Sequence, residues 1–191
     1  MSFSCEITIN GFKSDQTLTD GSEFVIAKNE HVVVTILIDL NKEKRDFDWK
    51  FNLVDRSAKL EVLVKSQLNN NSNLKGNLTI NHTAAGSTAH CTFLTSADNA
   101  SRVDITGSIN IQKNCPHVSS RLSMKGLLLD SKSSIKQQPL LHIQTPNVQC
   151  SHGSTISSIP ASQREYLQTR GLLPQTYKRV YQQAFLQNDF R

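Results

Sequence analysis

The sequence is short of apolar, charged and aromatic residues. Hydrophobic residues make up 37% of the 191 positions, charged residues 19% and aromatic residues 6%, whereas globular domains average about 45–50% apolar and 25% charged residues. Ser, Thr and Asn take their place and occupy 51 positions. Because these side chains compete with the backbone for hydrogen bonds, they disfavour helices. The composition therefore excludes a helical bundle or a coiled coil and favours a β protein with short strands and polar turns.

The sequence also has no membrane-spanning run, export signal or paired cysteines. Its longest apolar run, residues 31–38, is far shorter than the roughly 20 residues that cross a bilayer. The N-terminus has no basic segment followed by an apolar one, so we expect no secretory signal. Cys5, Cys91, Cys115 and Cys150 are scattered, which favours reduced thiols over a disulfide framework. We therefore expect a protein of the cytoplasm, or of the interior of an organelle, without a membrane partner.

The formal net charge of +5 is unevenly distributed. Residues 161–191 contain five basic and two acidic side chains. They include no Lys/Arg run of the kind that binds nucleic acid, so we expect no nucleic-acid partner. The basic C-terminal part is either ordinary solvated charge or a surface that meets an acidic protein.

Short strand-like runs separated by polar turns occupy residues 5–148. Alternation with a period of two is clearest over residues 60–64 and 103–111. This spacing, with no helix between the runs, suits a sandwich, a barrel or a β-solenoid, and no strict repeat decides among them. The predicted strands are Cys5–Ile9, Phe24–Ala27, Val32–Ile38, Trp49–Val54, Lys59–Val64, Leu74–Ile80, Ala89–Leu94, Val103–Ile111, Arg121–Leu129 and Leu140–Ile143.

Two short helices are predicted after Pro160. The first covers residues 161–170, with Pro160 in its first turn and Gly171 as its stop. The second runs from Pro174 to about Gln187 and carries one apolar stripe. Such a stripe either packs on the β body or docks in the groove of a partner protein. Its members are Tyr177, Val180, Tyr181, Ala184 and Phe185.

The sequence contains no familiar enzymatic motif, but histidine and cysteine recur as close pairs. The pairs are His90-Cys91, Cys115-Pro-His117 and Cys150-Ser-His152. Residues i and i+2 of a strand share a face, so the thiol and imidazole of the last two pairs would be neighbours. Such ligands suit iron, zinc or copper. Two ligands do not make a complete site, and buried thiols with hydrogen-bonded histidines are the alternative interpretation.

Four segments near the C-terminus form a specific pattern. They are Gln138-Pro-Leu-Leu-His-Ile143, Val148-Gln-Cys-Ser-His-Gly-Ser-Thr155, Gln163-Arg-Glu-Tyr-Leu167 and Thr169-Arg-Gly-Leu172. In this order they closely resemble the C-terminal signature of the SufB/SufD family of the SUF iron–sulfur cluster assembly machinery. Within that family, Cys150-Ser-His-Gly153 resembles the SufD form, because SufB carries an acidic residue after the histidine.

The resemblance implies a mainly β fold: a right-handed parallel β-helix over residues 1–158, with a divergent start at 1–50, and a helical hairpin over 159–191. It implies a scaffold subunit of the SUF complex, not an enzyme, that pairs with a SufB-type subunit or forms a homodimer. It implies no permanently bound cofactor but a transient iron–sulfur cluster. His152 is the implied cluster-assembly residue and metal ligand, and Cys150 accompanies it.

The resemblance also implies that the C-terminal helices dock a SufC-type ABC ATPase. The alternative class is a β-helical carbohydrate-binding or carbohydrate-active protein, whose composition is similar. Such proteins usually carry an export signal and an acidic or calcium-binding groove, and neither is visible here. A third interpretation keeps the docking hairpin without cluster chemistry. The candidate docking residues are Tyr166, Arg170, Tyr177, Val180, Tyr181 and Phe185.

Overall fold

The body of the protein is a β-solenoid built from two facing sheets. The structure, a computed structural model, describes residues 2–13 and 18–187, without the side chains of residues 2–5. The chain makes about five turns, and each turn gives one strand to each sheet. The strands are β1 (Ser2–Ile9), β2 (Phe12–Lys13), β3 (Glu23–Ile26), β4 (His31–Asn41), β5 (Lys44–Leu53), β6 (Lys59–Asn69), β7 (Asn73–His82), β8 (Thr88–Ala97), β9 (Arg102–Ile111), β10 (Ser119–Leu128), β11 (Ser134–Ile143) and β12 (Gln149–Ser158).

The seven-stranded sheet has the order β12-β10-β8-β6-β4-β1-β2, and the five-stranded sheet has the order β11-β9-β7-β5-β3. All pairings among β3 to β12 are parallel, and register partners on successive turns lie 27 to 32 residues apart. β1 pairs antiparallel with both β4 and β2. The predicted parallel β-helix is therefore confirmed, and an antiparallel hairpin extends one edge of the larger sheet.

All ten predicted strands are present, and two further strands were missed. β2 has only two residues. β12 has ten residues, Gln149–Ser158, but lacks the apolar alternation of the other strands. Almost all of its side chains are exposed, because the described chain places no further turn over it. A strand that is covered on one side only requires few apolar residues. Its polar sequence therefore resembles that of a turn.

Residues with a positive φ mark the turns of the solenoid. Two positions before each of β4, β6, β8, β10 and β12, φ lies between 59° and 70°. Glycine and asparagine adopt this left-handed region at lower cost than other residues. The backbone conformation therefore repeats from turn to turn at these five positions, although the positions do not share one residue type. The five residues are Asn29, Ser57, Gly86, His117 and Asn147.

Two columns of asparagine join successive turns through their side-chain amides. In the first column, Asn70 Nδ2 donates to Asn41 Oδ1 at 2.8 Å, and Asn99 Nδ2 donates to Asn70 Oδ1 at 3.2 Å. The second column has the same pattern, with distances of 2.7 and 2.9 Å. These ladders explain part of the high asparagine content. The second column consists of Asn52, Asn81 and Asn110.

The core lies between the two sheets and is closely packed around aromatic side chains. Trp49, Phe51 and Phe93 are completely buried. The rings of Phe47 and Trp49 stack with their centroids 4.0 Å apart. Gly76 is the register partner of Phe47 on the next turn, and a Cβ atom there would lie 2.2 Å from the Phe47 ring. The ring therefore occupies the space that any other residue at position 76 would need.

We expect Gly76→Ala to destabilise the protein by about 2–3 kcal/mol, because the Phe47 ring is held by its stack on Trp49 and has to be displaced. Urea unfolding would measure this change. Gly153→Ala is the matched control, since nothing lies within 4 Å of a Cβ atom at that strand position. Equal stability of the Gly76→Ala variant and the wild type would contradict the packing described here.

Both predicted helices are present, as α1 (Ala161–Thr169) and α2 (Pro174–Leu186). Gly171 ends α1 with a φ of 81°, and the backbone N–H of Leu172 donates to the Leu167 carbonyl at 3.0 Å. The Tyr181 hydroxyl donates to the side-chain oxygen Oε1 of Gln163 and joins the two helices. Within the described residues, neither helix has the length and apolar character needed to cross a bilayer. Residues 188–191 of the basic C-terminal part lie outside the described residues.

Helix α2 packs on the outer face of the seven-stranded sheet, against β6 and β8. Lys178 Nζ lies 2.6 Å from Asp98 Oδ1 in a largely buried ion pair. Gln182 Nε2 donates to Ser96 Oγ at 3.0 Å, and both side chains are buried. Tyr177 is buried in an apolar cluster beneath the helix. Part of the predicted stripe thus packs on the β body. The cluster contains Leu127, Leu129, Ile159 and Tyr177.

Candidate functional site

The last turn of the solenoid carries Cys150 and His152 side by side. Their register partners on β10 are Ser120 and Leu122, which are buried and point into the core. Partners in a parallel sheet share a face, so Cys150 and His152 both lie on the inner face of β12. Cys150 is half-buried and packs against the core, whereas His152 is exposed. As predicted for residues i and i+2 of a strand, Cys150 and His152 therefore share one face.

The environment of Cys150 favours a protonated thiol. Burial raises the pKa of the Cys150 thiol, and a hydrogen bond with the backbone of Ser120 opposes this shift. Burial also raises the pKa of Cys91 and of Cys115. Because the thiolate is the form that binds metals, Cys150 has to lose its proton before it can act as a ligand.

The other two His/Cys pairs do not form sites. Cys115 and His117 lie in the turn between β9 and β10, where Cys115 is buried and His117 is exposed with a φ of 62°. The prediction that this pair shares a strand face is wrong, because the Pro116 turn separates the two environments. Cys91 points into the core from β8, whereas His90 points outward. Alternation along the strand places these neighbours on opposite sides of the sheet.

Within residues 2–13 and 18–187, no three His, Cys, Asp or Glu side chains come together in a metal-binding arrangement. The last turn adds two other polar groups to its inner face. Ser154 follows His152 by two residues, and its hydroxyl donates to Gln137 Oε1 on β11 at 3.2 Å. The inner face of the last turn is thus polar at Gln137, Cys150, His152 and Ser154, above an apolar core.

His82 is a buried histidine that the sequence analysis did not single out. Its Nδ1 lies 2.8 Å from Ser87 Oγ and its Nε2 lies 3.1 Å from Ser120 Oγ. The Ser87 hydroxyl donates to the Ala84 carbonyl at 3.0 Å, so Ser87 Oγ accepts from His82 Nδ1–H, and His82 Nε2 accepts from the Ser120 hydroxyl. Burial lowers the pKa of His82 to about 4. The neutral tautomer is therefore fixed by its two serine partners.

His82 makes stability depend on pH. Its pKa is 6.5 in the unfolded chain and about 4 in the folded protein, so the unfolded state binds more protons between these values. We therefore expect the free energy of unfolding to fall by roughly 3 kcal/mol from this group as the pH drops from 7 to 4. Urea unfolding of the wild type and of His82→Gln over this range would measure it. Parallel curves for the two proteins would contradict the assignment.

The candidate docking residues of the hairpin differ in their exposure. Tyr177 is buried, and Tyr181 and Phe185 are half-buried against the body. Tyr166 is 59% exposed and Val180 53% exposed. Arg170 is exposed too, with its guanidinium 5.3 Å from the centre of the Tyr166 ring. Leu173, which the stripe did not include, is 60% exposed in the connection between the helices. We call the four exposed residues Tyr166, Arg170, Leu173 and Val180 the outward surface of the hairpin.

Comparison with known proteins agrees with this architecture. The profile of the family described as SUF system FeS cluster assembly, SufBD core domain, matches residues 6–185. A protein of Synechocystis sp. named iron–sulfur cluster assembly SufBD family protein is 48% identical over 48 residues, which are 25% of this chain and 11% of the relative. The iron–sulfur cluster assembly protein SufD of Escherichia coli is 29% identical over 84 residues, 44% of this chain and 20% of the relative. The matched segments therefore span a tenth to a fifth of these relatives.

The fold and the site define a two-sheet β-solenoid domain with a thiol–imidazole pair on its last turn and a helical hairpin behind it. Since the SufBD core profile covers nearly the whole chain, the chain belongs to the SufB/SufD family of the SUF iron–sulfur cluster assembly system. The family match does not support the carbohydrate-binding alternative.

Proposed function

We propose that this chain is a scaffold subunit of a SUF iron–sulfur assembly complex, of the SufD type and without enzymatic activity of its own. The observation that carries the proposal is the match to the SufBD core over residues 6–185, combined with Cys150 and His152 on the inner face of the open last turn. The name of the Escherichia coli relative supports the SufD type. The cluster is the cargo of the complex and is held only transiently.

The last turn supports pairing with a second solenoid, of the SufB type. Within the described residues, β12 pairs only with β10, and β11 pairs only with β9, so both strands offer backbone groups to a further strand. Leu140, Ile143 and Ile156 on these strands are each more than 40% exposed. A partner that covers this end would bury apolar surface and satisfy the strand edges. A second copy of this chain is the other occupant that the pairing allows.

Pairing at this end would also complete a metal site. His152 and Cys150 supply two ligands of types that bind iron, and further ligands would come from the partner across the interface. The Cys150 thiol would release its proton when iron binds. The exposed imidazole of His152 could bind iron or accept that proton. The scaffold thus holds ligands in place while other components supply iron, sulfur and energy.

We expect His152→Ala to leave the free energy of unfolding within about 0.5 kcal/mol of the wild type, because the side chain is exposed. The same change should strongly reduce cluster formation when the chain, a SufB-type partner, ferrous iron and sulfide are combined anaerobically. Absorbance of the cluster measures the effect. His90→Ala, which removes an exposed histidine from an outer face, is the control. Loss of folding in His152→Ala would instead assign a structural role to this residue.

We further propose that the outward surface of the hairpin docks the SufC-type ATPase. Tyr166, Leu173 and Val180 leave apolar surface exposed, and Arg170 lies over the Tyr166 ring. The other side of α2 is attached to the body by Lys178 and Gln182. The attachment fixes the hairpin on the solenoid. A conformational change of the bound ATPase would therefore be transmitted through the hairpin to the solenoid.

Val180→Asp should abolish co-purification with a SufC-type ATPase and keep association with a SufB-type partner, since burying a charge in an apolar contact is costly. Val25→Asp is the matched control, because Val25 is similarly exposed but lies on β3, an edge strand of the other sheet. Undiminished binding of Val180→Asp would exclude this surface. Absence of both partners from wild-type preparations at micromolar concentration would exclude the proposed function.

A further inference from the structure

Gln137 is a polar residue in an otherwise apolar column of the core. Alternation on β11 places Ile135, Gln137, Pro139 and Leu141 on the inner face. The register partner of Gln137 on β9 is Ile105, which is completely buried. An aliphatic side chain at position 137 would continue this column, as Ile135 and Leu141 do in theirs. Gln137 is therefore the polar exception on this face of β11.

The carboxamide of Gln137 reaches across the last turn to the strand that carries the site. Its Oε1 accepts a hydrogen bond from Ser154 Oγ at 3.2 Å. Ser154 follows His152 by two residues on the same face of β12, so their Cα atoms are about 7 Å apart. The Gln137 amide thus contacts the inner face of β12 one inner-face position beyond His152 and two beyond Cys150, although it belongs to the other sheet.

One polar atom of Gln137 has no partner. Nε2 is shielded from solvent, and none of the described residues accepts a hydrogen bond from it. Oε1 is already engaged by Ser154, so Nε2 is the unsatisfied group of this amide. Burying an unpaired amide group destabilises a protein, and such violations are expected where a residue serves function.

We infer that Gln137 is a further member of the last-turn site and that its Nε2–H binds the anionic sulfur of a nascent cluster, sulfide or thiolate. An uncharged N–H donor on the same inner face as the thiol and the imidazole is complementary to sulfur that carries negative charge. Hydrogen bonds to sulfur are among the factors that set the properties of iron–sulfur clusters. Gln137 would thus hold sulfur while His152 and Cys150 face iron. The inference rests on the proposed function and names the ligand atom at that same site.

The test compares Gln137→Leu with Gln138→Leu, the same substitution on the adjacent, exposed outer-face residue of β11. Each variant is combined anaerobically with a SufB-type partner, ferrous iron and sulfide. Acid-labile sulfide per complex, the reduction potential of the cluster and urea unfolding are then measured. We expect Gln137→Leu to be at least as stable as the wild type but to retain at least threefold less sulfide, whereas Gln138→Leu behaves like the wild type. Gln137→Met, which keeps the length of the side chain, serves if the leucine variant fails to fold.

Three results would overturn the inference. Unchanged sulfide content and potential in Gln137→Leu would show that Nε2 does not contact the cluster. Weakened partner association with unchanged sulfide in the remaining complex would assign Gln137 to the protein interface. A wild-type complex that forms but holds no sulfide would overturn the inference while leaving the pairing proposal intact. Failure of the wild type to form any complex would overturn the proposed function and, with it, the inference.

Discussion

In-register stacking of parallel turns is the constraint on which the rest of the structure depends. Each inward side chain lies on its counterpart from the turn before, so columns such as Val62, Cys91 and Leu122 form a continuous interior. The same register aligns the amides of Asn41, Asn70 and Asn99 at the surface. Packing and polar ladders therefore support one another, because both require the same alignment of turns.

The same constraint also explains why the candidate site lies on the last turn of the solenoid. A side chain in a middle turn is covered from both sides and has to match its neighbours. Residues of the last turn keep the inward orientation but are covered from one side, so polar groups are tolerated there. His152 continues the column of Cys91 and Leu122, yet it is exposed. The same position that would hold an aliphatic residue one turn earlier thus presents an imidazole.

The sequence was informative where alternation and turn chemistry are local. Ten strands and both helices, with Gly171 between them, could be predicted from the periodicity of apolar residues and from the Gly, Pro and Asn residues that end the elements. β12 could not, because a half-covered strand loses its apolar alternation. The pairing of turns was hidden, since the spacing of register partners varies from 27 to 32 residues and most partners differ in residue type. His82 and Gln137 become meaningful only through contacts with residues distant in sequence, such as Ser120 and Ser154.

The asparagine ladders carry a consequence for how the length of such a chain can change. Positions 41, 70 and 99 are equivalent and spaced by 29 residues, so removing or duplicating one such interval joins equivalent points of two turns. Gain or loss of a single residue within a strand would instead exchange the inner and outer faces beyond it. Insertion or deletion of a whole turn therefore preserves the inner and outer faces of every strand, whereas a change of one residue within a strand does not.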